Sequence, residues 1–66
     1  MRSPADPYAG MDDTAVLARA VAFFKKAVSL PPGSIERAIQ WAAYDTAKDE
    51  LDRRVAAYML ARLREG

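Results

Sequence analysis

Apolar residues recur at helical spacing from Met11 almost to the end of the chain, with one interruption at residues 30–33. Ahead of the interruption, Leu17, Ala20, Val21, Phe24, Ala27 and Val28 fall on one stripe when successive residues are turned by 100°, and Arg19, Lys25 and Lys26 fall outside it. That is the pattern of an amphipathic helix facing a core. Asp12 marks its start, because a carboxylate there can accept from the free amides of the first turn, and Met11 and Val16 stand at the positions of a hydrophobic staple. Leu30 precedes Pro31 and is biased towards extended angles, while Pro32 and Gly33 suit the two central positions of a type II turn. The spacing therefore predicts a first helix over about 12–29, with Lys25 and Lys26 near the carbonyl end of its dipole.

Ser34 is a second N-cap candidate, and from there to Glu65 no Gly or Pro breaks a run rich in Ala, Leu, Arg and Glu. Within that run the apolar stripe changes sides: Ile35, Ala38, Ile39 and Ala42 share one face, whereas Leu51, Val55 and Tyr58 lie nearly opposite. A superhelical drift of about 20° per heptad is too slow to explain the change. Two all-α architectures follow. In the favoured one, a small three-helix bundle over about 12–29, 34–45 and 48–65, Thr46 caps the third helix with Asp49 three residues on. In the alternative, a helical hairpin, residues 34–65 form one long second helix. That reading is supported by the acid-before-base pairs Asp49 with Arg53 and Glu50 with Arg54, and by a stripe of Trp41, Tyr44, Ala47, Leu51, Val55 and Tyr58 running through the supposed break. A helix of about 31 residues would span about 46 Å against about 26 Å for the first. Its overhang, with Tyr58, Met59 and Leu63, would then need a partner, and a two-fold dimer of four helices is the usual solution.

The first eleven residues read differently. Pro4, Pro7 and Gly10 flank Tyr8 and oppose a helix, so residues 1–11 are expected to be a flexible tail ahead of a single helical domain at 12–66. A docking role for the tail through Tyr8 is the weaker reading beside plain disorder. Arg2 is followed by prolines and not by an apolar stretch, which is not the pattern of a secretory leader.

Composition narrows the function classes. Sixty-six residues bury little surface, and without cysteine neither a disulfide nor a thiolate zinc site can staple the fold, which leaves self-association as the common support. Ten basic against nine acidic residues give +1, not the basic footprint of non-specific nucleic-acid binding. The longest apolar run, 55–61, is far short of the roughly 18–20 residues of a membrane span. A cytoplasmic protein is expected, and abundant Ala, Arg and Asp without Asn or His suggest a high-GC bacterial or phage genome.

Chemistry is excluded mainly by missing residue types. Without His or Cys the usual general base, soft metal ligand and activated thiol are absent, and Ser3, Thr14, Ser29, Ser34 and Thr46 offer hydroxyls without a base to activate them. No phosphate-cradling glycine loop is present. Asp45, Asp49 and Asp52 share a side of the helix, but Lys48, Arg53 and Arg54 are interleaved with them, which is the pattern of a solvated face and not of a metal site. The expectation is therefore no catalytic residue, no cofactor and no metal. Five aromatics, Phe23, Phe24, Trp41, Tyr44 and Tyr58, are many for so short a helical chain. Phe23, Trp41, Tyr44, Tyr58 and Met59 are the expected partner contacts, because Trp and Tyr bury large area while keeping a polar tip; the competing reading places them in the monomer core. The sequence thus points to a non-enzymatic protein–protein interaction module, such as an adaptor, inhibitor, antitoxin or accessory subunit, acting as a homodimer or on another protein. The alternative is a helix-turn-helix-like DNA-binding regulator reading bases with Arg37 and Gln40. Arg19, Lys25 and Lys26 are too few for a basic membrane-surface anchor.

Overall fold

The computed structural model describes residues 7–65 and contains two antiparallel helices, α1 (Asp13–Ser29) and α2 (Ile35–Glu65), with no strand among the described residues. The hairpin, not the three-helix bundle, is the architecture. Thr46 does not cap a third helix, because its hydroxyl donates back to the Ala42 carbonyl four residues earlier (3.1 Å), a bond that leaves the helical ladder intact. Ion pairs one turn apart brace the same stretch: Lys48 with Asp52 (3.3 Å) and Arg54 with Glu50 (2.7 Å). Arg53 pairs with Glu50 (2.7 Å) and not with Asp49 as its spacing suggested.

Both helices begin in the same way. Tyr8–Ala9–Gly10–Met11 closes a turn in which the Met11 amide donates to the Tyr8 carbonyl (3.1 Å), and Gly10 at the third position has φ +82°. Pro31–Pro32–Gly33–Ser34 repeats it, with Ser34 N–H to Pro31 C=O (3.2 Å) and Gly33 at φ +81°. A positive φ at that position is what a type II turn needs, and only glycine adopts it without steric cost. Each turn delivers an N-cap. The Asp12 carboxylate accepts from the Ala15 amide (2.7 Å) and the Ser34 hydroxyl from the Arg37 amide (3.2 Å). At the end of α1, Leu30 takes extended angles (φ −94°, ψ 153°), as a residue before proline should.

The core is small and lies between the helices. Val16, Ala20 and Ala47 are buried with Tyr8, and Met11, Phe23, Tyr44 and Leu51 pack against them; Ala27 is buried nearer the connecting turn. The staple pair Met11 and Val16 thus meets in one cluster. Alanines at the contact allow the helix axes to approach closely. Two stripes, however, are not where the sequence pattern puts them. On α1, Leu17, Val21, Phe24 and Val28 remain 44–53% exposed, and only Ala20 and Ala27 of that stripe are buried. On α2, Ile35 and Ile39 are 74% and 58% exposed, so the face they share with Ala38 and Ala42 is not the core face. The reason is geometric: a single neighbouring helix covers only a narrow sector of each cylinder, and the apolar arcs are wider than that sector.

Residues 1–6 of the expected tail lie outside the described residues. Residues 7–10 form the first turn, and Tyr8 is only 5% exposed.

Candidate protein-docking surface

Arg54 fixes the register of the hairpin. Its Nε donates to Glu50 (2.7 Å), one terminal nitrogen to Asp13 at the start of α1 (2.7 Å) and the other to the Tyr8 carbonyl (3.1 Å). One guanidinium fork therefore joins α2, α1 and the first turn, and its planar geometry suits this better than a lysine point charge. The Glu50 hydrogen bond first, then the one to Asp13, raises the Arg54 pKa; the Asp52 hydrogen bond does the same for Lys48. Both shifts favour the protonated form in the folded chain. Their stabilisation is complete below the ordinary Lys and Arg values and is lost only as pH rises through the higher folded-state values, so neither group switches near neutrality. Arg54→Lys should release the first turn while leaving both helices formed, seen as faster exchange of the Met11 amide; unchanged protection would mean that the fork is dispensable.

Because Arg54 is level with the start of α1, residues 55–65 run about 16 Å past that helix at 1.5 Å per residue, with Ala57 still beside the first turn. Every residue of that overhang is exposed, including Val55 (59%), Tyr58 (67%), Met59 (60%) and Leu63 (75%). No helix among the described residues is long and apolar enough to cross a membrane.

Part of the exposed apolar surface forms one face across the two helices, while Ile35 and Ile39 lie on another side of α2. Leu17, Val21 and Phe24 of α1 line a groove of about 450 Å³ together with Tyr44, Lys48, Leu51 and Asp52 of α2. The groove's rim is aromatic. The Phe24, Trp41 and Tyr44 rings lie pairwise at 5.5–5.9 Å, with both Trp41 contacts close to edge-on (77° and 84°). The spacing on both helices is that of a coiled-coil seam, alternating three and four: 14, 17, 21, 24 and 28 on α1, and 41, 44, 48, 51, 55 and 58 on α2. Lys48 is the one charge in the α2 series, and its ammonium is held by Asp52 beside it.

No family model, curated protein or solved structure matches this chain. The surface must therefore be read from its own residues. Of the expected contacts, Trp41 and Tyr44 are half-buried on the groove's rim, and Tyr58 and Met59 stand exposed on the overhang. Phe23 is separated from them: it points about 100° away from Phe24 around the helix and packs against the core cluster. The strip also holds Leu17, Val21 and Val28 of α1, which the periodicity places on the core-facing stripe, and Val55 of α2, while Leu51 lines the groove and packs against the core cluster as well. The alternating three-four spacing was the signal for them. Among the described residues, no three acidic side chains are grouped to hold a metal ion.

Proposed function

We propose that this chain is a non-enzymatic protein–protein interaction module that self-associates through the apolar strip, in the manner of an adaptor, inhibitor, antitoxin or accessory subunit. One observation carries the reading: among the described residues, Leu17, Val21, Phe24, Val28, Val55 and Tyr58 of the strip are exposed, whereas Val16 is the one fully buried side chain larger than alanine. A solvated strip of this extent is a feature of interaction sites and not of self-sufficient monomers. The missing His and Cys support the non-enzymatic part. Trp41 and Tyr44 at one end of the strip, with Tyr58 at the other and Met59 beside it, include the residue types that dominate interface energetics. The helix-turn-helix alternative loses its main base reader, since the Arg37 guanidinium is turned back onto the Leu30 carbonyl (3.2 Å).

Trp41 is the only tryptophan, so its emission reports on the strip directly. Dilution of the folded protein should shift the emission to longer wavelength as the strip is uncovered, with circular dichroism showing the helices retained. Emission independent of concentration would argue against the reading.

A further inference from the structure

Resting on the self-association just proposed, we infer that the strip's occupant is a second copy of this chain running antiparallel, with the α2 overhang of each copy laid across the turn end of the other and Lys48 of each facing the partner's Asp52. Charge selects the direction. Lys48 and Asp52 both line the groove and lie one turn apart on α2. In a parallel pairing, Lys48 would meet Lys48 and Asp52 would meet Asp52, like against like. In an antiparallel pairing with the two-fold axis beside residue 50, each lysine lies level with the partner's aspartate, so the one cation in the seam is matched twice.

The same register solves the overhang. An axis at residue 50 brings residues 55–65 level with the partner's residues 35–45, and helical rise then puts Tyr58 and Met59 at the height of the partner's Trp41 and Phe24. Phe24, Tyr58 and Met59 are exposed in one chain and Trp41 is half-buried, and the two groups lie at opposite ends of the hairpin. A parallel pairing would instead stack overhang on overhang and rim on rim, so neither overhang would lie against the other copy's hairpin body.

Size agrees. The chain measures 48 × 26 × 17 Å, and its radius of gyration of 14.5 Å exceeds the roughly 11 Å of a compact chain of this length. A standard interface takes about 800 Å² from each partner, about 15% of the 5278 Å² surface, which the broad face can supply. Two flat hairpins stacked on that face make a four-helix body with the seam spacing of such bundles.

The absence of cysteine makes single spin labels unambiguous. Labels at Glu36→Cys, Asp49→Cys and Arg64→Cys, all exposed positions, should give an interchain distance of about 40 Å or more at 36 and at 64, and only about two helix diameters, roughly 22 Å, at 49. A short distance at all three positions would establish a parallel dimer and overturn the register while leaving self-association intact. Absence of any dipolar coupling, with a monomeric mass, would overturn both. Charge exchange gives a second readout. Lys48→Asp and Asp52→Lys chains should each dimerise at least tenfold more weakly than wild type, and an equimolar mixture should recover the dimer as a mixed species. Two variants that dimerise like wild type would place the contact elsewhere.

Discussion

Tyr8→Ala is expected to remove about 3 kcal/mol of folding stability, the cost of emptying a large aromatic site in a core. The ring is 5% exposed and closes the cluster formed by Val16, Ala20 and Ala47, two of which are alanines with little area of their own. A chain of this length has a total stability of about 3–10 kcal/mol, so the loss would remove roughly a third or more of it. Urea denaturation followed by circular dichroism measures it. Tyr8→Phe keeps the ring and should cost no more than about 1 kcal/mol. If Tyr8→Ala melted like wild type, the first turn would not be part of the fold.

Val21→Glu should have the opposite profile: a large loss of association with little loss of folding. Val21 is 44% exposed in one chain and glutamate is a good helix former, so the change should stay within about 0.5 kcal/mol for the hairpin itself. In the dimer the same side chain would be covered, and each copy would carry an unpaired carboxylate into an apolar interface. At about 2 kcal/mol for each of two desolvated carboxylates, the dissociation constant should rise about a thousandfold. Sedimentation velocity over a dilution series checks this. Association at wild-type strength would remove Val21 from the contact.

These two side chains also show where the sequence was readable. Helix ends were legible because they are local chemistry: Asp12 and Ser34 as caps, Leu30 before Pro31, and Gly33 as the positive-φ residue of the turn, each need only their immediate neighbours. The continuity of α2 was harder to read, since Thr46 suits a cap as well as a helix interior, and only its bond to the Ala42 carbonyl distinguishes them. The side-switching stripe that suggested a break has a simple cause. Ile35 and Ile39 do not face α1 at all, so α2 needs no bend to bury them. Along α1 the periodicity located an apolar arc but not which edge of it meets the neighbour; the contact went to Ala20 and Ala27 and left Leu17, Val21, Phe24 and Val28 outside. The burial of Tyr8 is not legible locally, where Pro4, Pro7 and Gly10 only oppose a helix, and its carbonyl accepts from Arg54, 46 residues away. No local window holds both. Of the expected contacts, Trp41, Tyr44 and Tyr58 lie on the stripe and Met59 is exposed on the overhang, whereas Phe23 carries the same residue-type signal and packs against the core cluster.

The central claim is that the apolar strip is an interface and not a tolerated surface, and the molar mass in solution tests it most directly. Multi-angle light scattering on the purified chain should give twice the 7.3 kDa chain mass at high concentration, falling towards 7.3 kDa on dilution and for Val21→Glu at every concentration. A wild-type chain that stays at 7.3 kDa at all concentrations, with the helical signal of the hairpin intact, would contradict it.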